Sequence, residues 1–131
     1  MESAILAVAV GFLMPAVALA HHPSTVEFDL KKPVSLKGVV TKVEWINPHA
    51  YIHVDVTGPA GQVTKWRFET GSPSQLTKRT WTRTAVKAGD QITVEGYRAR
   101  NGANFAAAKS VTMADGRTVF AGRLENEKGK D

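Results

Sequence analysis

The chain has 131 residues, no cysteine, three tryptophans, 43% hydrophobic residues and 22% charged residues. That is one domain's worth of sequence, and it can bury about two-thirds of its unfolded surface without a disulfide or metal staple. The missing cysteines exclude disulfide frameworks, thiolate metal sites, iron–sulfur clusters and cysteine nucleophiles, and the composition is too apolar for a disordered chain.

The first twenty residues read as an export signal. Ala4 to Ala20 carries no charge, Ala4 to Met14 has the length of a signal-peptide apolar region, and Pro15 then breaks the helix. Two small-x-small sites follow, so cleavage falls after Ala18 or Ala20. The alternative is an uncleaved anchor, since a spanning helix needs only about 17–25 residues. Glu2 stands where a basic residue is expected. Cleavage after Ala20 leaves 111 residues with 17 basic and 11 acidic groups, net +6. The expectation is a periplasmic or secreted protein with no membrane span after cleavage. Its basic charge then meets envelope polymers or acidic proteins rather than nucleic acid.

In the mature chain, residues 21–33 read as an extended polar arm. Val34 to Ile46 is a first strand whose apolar period slips at Gly38, the pattern of a bulged or sharply coiled strand. Residues 50–57 alternate cleanly: Ala50, Ile52, Val54 and Val56 face inward, and His49, Tyr51, His53 and Asp55 outward. After the turn at residues 58–61, Val63 to Thr70 turns Trp66 and Phe68 inward and Lys65, Arg67 and Glu69 outward. Ser72, Pro73 and Gln75 supply an N-cap, a first-turn proline and a capping box, predicting a short helix through Arg79, after which Trp81 packs back. Gln91 to Tyr97 is the fourth strand. Asn101-Gly102 makes a hairpin turn, Asn104 to Met113 is the fifth strand, and Arg117 to Ala121 a short closing segment. Residues 124–131 form a charged tail.

Three strands, a helix and two more strands is the order of an OB-like β-barrel, spanning residues 34–123. Closure removes the edges that invite aggregation; an open antiparallel sandwich of the same strands is the alternative.

The run Leu36 to Ala50, with its Trp45-Ile46-Asn47-Pro48-His49 stretch, resembles a family of small uncharacterised bacterial periplasmic proteins. Further matching features are His21-His22, Glu27-Phe28-Asp29, Trp66-Arg67-Phe68-Glu69, Gly71-Ser72-Pro73, Trp81-Thr82-Arg83, Gly89-Asp90, Val94-Glu95-Gly96-Tyr97 and Asp115-Gly116-Arg117. The strand order is also similar to that of exported bacterial OB-fold proteins. What the resemblance implies is an exported small β domain, with no catalytic residues to carry over.

Three constellations bear on chemistry. Cleavage after Ala20 leaves His21 with a free α-amine and an imidazole beside His22, and cleavage after Ala18 leaves an amine, two amides and the His21 imidazole. Both are chelates suited to copper(II); the competing reading is a plain polar tail. Of the other histidines, His49 and His53 share a face but stand roughly 13 Å apart along the strand. His49, in the bend after Asn47-Pro48, is the third metal-ligand candidate with His21 and His22, and a structural histidine otherwise. Pairing Val54 with Trp66 sets Asp55 against Lys65 and Tyr51 against Glu69. The outer face of Tyr51, His53, Asp55, Lys65, Arg67 and Glu69 is then a recognition surface of the kind OB barrels use, or ordinary cross-strand pairing.

No nucleophile elbow, zinc-protease motif, phosphate loop or cofactor fingerprint is present. Glu44, Glu69 and Glu95 read as isolated carboxylates, so no catalytic residues are expected. The expectation is a non-enzymatic exported binding domain taking copper at the histidine arm. The alternative is a module docking on an envelope protein through the strand two–three face.

Overall fold

The computed structural model describes residues 27–79 and 81–122. His21, His22, the signal segment and the charged tail lie outside the described residues.

The chain runs β1 (Phe28–Glu44), β2 (Tyr51–Thr57), β3 (Val63–Glu69), α1 (Pro73–Lys78), β4 (Gln91–Ala99), β5 (Phe105–Met113) and β6 (Thr118–Phe120). Adjacent strands follow the order β3-β2-β1-β4-β5-β6, and a parallel β3–β5 pairing joins β1–β5 into a ring. This is the mainly β, OB-like arrangement expected, with the one short helix between β3 and β4. The closing seam is short: Arg67, Phe68 and Glu69 lie opposite Phe105, Ala106 and Ala107.

The first strand departs most from expectation. It starts at Phe28 rather than Val34, so the second half of the expected arm is strand, pairing Phe28 with Ala99. Its first part pairs with β4 and its last part with β2. A single strand serves two neighbours only if it coils hard, and Gly38 sits in that coil. A Cβ at Gly38 would meet the Asp55 carbonyl oxygen and lie 2.6 Å from Val54 Cγ1. The period slip itself falls three residues later. The register steps from Val40 opposite Val54 to Lys42 opposite His53, leaving Thr41 as the extra residue of a bulge. With no slip at Gly38, Val40 stays in phase with Val34 and Leu36 and is buried, while Val39 is exposed.

The ring's interior holds Ile52, Val54, Phe68, Val94, Ala106 and Val111, with Trp66 stacked on Phe68 at 6.0 Å. Leu76 of α1 and the buried Trp81 belong to the same core. The helix starts where the capping box predicts: Ser72 Oγ accepts from Gln75 N at 3.2 Å, and the Ser72 N–H donates to Gln75 Oε1 at 3.0 Å. Six residues cannot hold a helix alone; the cap and the buried Leu76 fix it in place. No helix of the described residues is long and apolar enough to cross a membrane.

Candidate functional site

The β2–β3 hairpin adopts the expected register. Val54 faces Trp66, Asp55 faces Lys65, His53 faces Arg67 and Tyr51 faces Glu69. Because inner residues alternate with outer ones, the named face is assembled as one surface, flanked by Lys42 and Glu44 of β1. Lys65 Nζ approaches Asp55 Oδ1 at 3.4 Å, an exposed pair of small energetic weight.

Two histidine–glutamate pairs lie on this surface, and their geometries differ. His53 Nε2 lies 2.8 Å from Glu44 Oε2, a full hydrogen bond. That contact, with Lys42 at 3.4 Å adding to it, holds the Glu44 carboxyl below its ordinary pKa. Glu44 was expected to stand isolated. The bulge at Thr41 brings it opposite Tyr51, beside His53, and locating the bulge correctly in the sequence would have found the pair.

The second pair sits where the hairpin ends meet α1. The Ala50 N–H donates to the Gly71 carbonyl and the Thr70 N–H to the Ala50 carbonyl, extending the ladder past both strands. His49 and Glu69 are thereby held next to each other. His49 Nδ1 is 3.0 Å from the Thr70 carbonyl oxygen. A carbonyl can only accept, so Nδ1 carries the proton and Nε2 is the ring's other functional atom. Nε2 lies 3.4 Å from Glu69 Oε1, with both side chains mostly buried. Thr70 fixes this corner; its hydroxyl donates to the Ala50 or Gly71 carbonyl. Glu69 is thus no more isolated than Glu44. The sequence showed neither partnership, because His49 and Thr70 are distant along the chain.

Tyr51 lies between the two pairs. Burial first, then the Glu69 charge, raises its phenol pKa. Beside it the Arg67 guanidinium lies 5.0 Å from the Tyr51 ring centre and 4.2 Å from that of Phe105. Phe28 packs on Phe105 at 5.3 Å. The start of β1 therefore lies along the same patch as Tyr51, an aromatic cluster that outward-facing positions alone did not suggest. Trp66 and Trp81 are core residues.

A concavity of about 340 Å³ lies between the Trp81–Val86 segment and the β5–β6 hairpin, lined by Met113, Arg117 and Val119 among others. Arg117 there is paired with Asp115 at 2.6 Å, Thr118 adds a hydroxyl, and the buried indole N–H of Trp81, which also lines the cleft, has no hydrogen-bond partner among the described residues. Among the described residues, no three His, Cys, Asp or Glu side chains are grouped to hold a metal.

No curated protein and no solved structure matches the chain. Residues 10–108 match a family of unknown function, DUF6152, a span that includes β1 to β4 and the first four residues of β5, and the chain belongs to that family.

Proposed function

We propose that this protein is an exported, non-catalytic binding domain that holds a metal ion, copper foremost, between its N-terminal histidines and the barrel. The ligands are His21 and His22, with the free amine, and His49. The observation that carries this reading is the fixed tautomer of His49. The Thr70 carbonyl accepts a hydrogen bond from Nδ1–H, which orients Nε2 as the coordinating atom in the way metal-ligating imidazoles are oriented. Chain reach supports it. Phe28 packs into the aromatic cluster that includes Tyr51, and six residues beyond Phe28 span up to about 20 Å. Imidazole and amine nitrogens favour copper(II).

The test is calorimetric titration of copper(II) into protein purified from the periplasm, its N-terminus verified by intact mass. One-to-one binding that collapses when a residue is added before the mature N-terminus supports the reading; unchanged or absent binding refutes it.

A second reading is favoured by the partly exposed Arg67–Tyr51–Phe105 cluster. Aromatic and arginine side chains anchor protein interfaces, so the β2–β3 face is proposed to dock on an envelope protein. Reversing Arg67 or Glu69 in charge disrupts docking and leaves a purely N-terminal copper chelate intact.

A further inference from the structure

We infer that the cleft between the Trp81–Val86 segment and the β5–β6 hairpin is a second binding site, for a small, mainly apolar molecule carrying a carbonyl or carboxylate oxygen. The cleft shares no residue with the histidine arm or the β2–β3 face, so the site stands apart from both readings above. Trp81 is 2% exposed, and its indole N–H is buried without a hydrogen-bond partner among the described residues. Buried polar groups are overwhelmingly paired, because an unmade bond leaves the cost of desolvation uncompensated. An indole nitrogen only donates, so the missing partner is an acceptor. No other buried side-chain nitrogen or oxygen of the described residues is left in this condition, and its residue lines the cleft.

The lining fits the rest of such a molecule. A volume of about 340 Å³ lies at the small end of the roughly 300–1,000 Å³ range of ligand pockets. Val86, Met113 and Val119 supply apolar wall, and Arg117 and Thr118 are the polar members beside Trp81. A lone water suits this lining poorly, since a buried water needs about two to four polar partners. The Thr118 hydroxyl is already engaged with that of Thr112 at 3.1 Å. A molecule that offers one oxygen to the indole N–H and lays an apolar body on the walls satisfies both parts of the lining. Arg117 bears on which oxygen that is. Its side-chain bond to Asp115 uses Nε, one of several guanidinium donors, and the pair is exposed, so the tie is weak. A carboxylate in the cleft therefore finds a cation to hand, whereas a neutral carbonyl does not need one.

The experiment is proton–nitrogen NMR of the full mature protein, following its three indole N–H signals during titration with hexanoate, hexanamide and hexylammonium. The first two carry an acceptor oxygen; the third has the same chain and none. Trp81→Phe assigns the Trp81 signal by its loss. Where that variant does not fold, cross-relaxation to Val86 and Met113 in the wild type assigns it instead. The expected result is a saturable downfield movement of the Trp81 signal with one or both oxygen-bearing probes, half-complete at about 1 mM or below. The Trp45 and Trp66 signals stay in place, and hexylammonium moves none of the three. Arg117→Gln separates the two ligand types. Hexanoate weakened about two- to fivefold with hexanamide unchanged marks a carboxylate site, and neither weakened marks a carbonyl site. A Trp81 signal that no probe moves overturns the inference, as does equal movement of all three indoles or an equal response to hexylammonium.

Discussion

Replacing Gly38 by alanine tests the central feature of the fold, the coil that lets β1 serve two neighbours. The added Cβ meets a backbone carbonyl of β2 and lies 2.6 Å from Val54 Cγ1 and 3.0 Å from the Asp55 carbonyl carbon. A flexible side chain could swing away, but a strand's carbonyl moves only with its ladder. Overpacking a well-filled site costs about 1–3 kcal/mol, and the backbone obstacle places this substitution at the upper end, about 3 kcal/mol. For a domain of this size each kcal/mol lowers the melting temperature by about 4–8 °C, so the expected drop is about 12–24 °C. The assay is thermal and urea unfolding of wild type, Gly38→Ala, Val54→Ala and the double variant. Removing the Val54 methyls clears one of the obstacles, so the double variant should be more stable than the sum of the singles predicts, by about 0.5 kcal/mol or more. A Gly38→Ala protein melting within about 3 °C of wild type, or strict additivity, refutes the close approach of β1 to β2.

Three further outcomes follow from local geometry. Ser72→Ala removes the N-cap of a six-residue helix and should cost about 1 kcal/mol in urea unfolding. Thr70→Val removes a hydroxyl that donates to a backbone carbonyl and should cost about 1 kcal/mol. It should leave the His49 tautomer unchanged in nitrogen-15 NMR, because the Thr70 carbonyl and not its side chain accepts from Nδ1; a changed tautomer in a folded Thr70→Val protein contradicts that assignment. For Glu44 the folded pKa is lowered, chiefly by the His53 hydrogen bond. Its contribution is therefore fully present above the unfolded glutamate value of about 4.3 and lost as pH falls through the lowered folded value. The stability gap between wild type and Glu44→Gln should accordingly be constant near neutrality and shrink below about pH 4; a gap that widens on acidification contradicts the pairing.

The sequence was most informative where a local rule sufficed. Alternation at Ile52, Val54, Trp66 and Phe68 predicts the inner face, and it sets the hairpin register that places Tyr51 against Glu69. The Ser72–Gln75 box predicts the helix start. It was least informative where one strand changes partner. Apolar residues on both sides of Gly38 allowed the slip to be put at the glycine, whereas the bulge falls at Thr41, and that displacement hid the Glu44–His53 pair. Phe28 lies among polar residues and reads as arm until Phe105, far along the chain, is seen beneath it. The His49–Thr70 bond joins two chain segments across a hairpin, and no spacing rule anticipates it.

The ring is held shut by three residues of β3 lying parallel to three of β5, a far smaller contact than any of the antiparallel pairings β1–β2, β1–β4, β2–β3 and β4–β5. Local opening selects the segment with the least to lose, so the seam should exchange its amide hydrogens before the rest of β3. Arg67 and Glu69 are part of that seam. When it parts, the Arg67 guanidinium leaves the Phe105 ring but keeps Tyr51, which stays on the β2 side, and Glu69 loses its neighbour Ala107. Opening of the ring therefore divides the aromatic patch between Tyr51 and Phe105, while His49 and Glu69 stay together on the β2–β3 side.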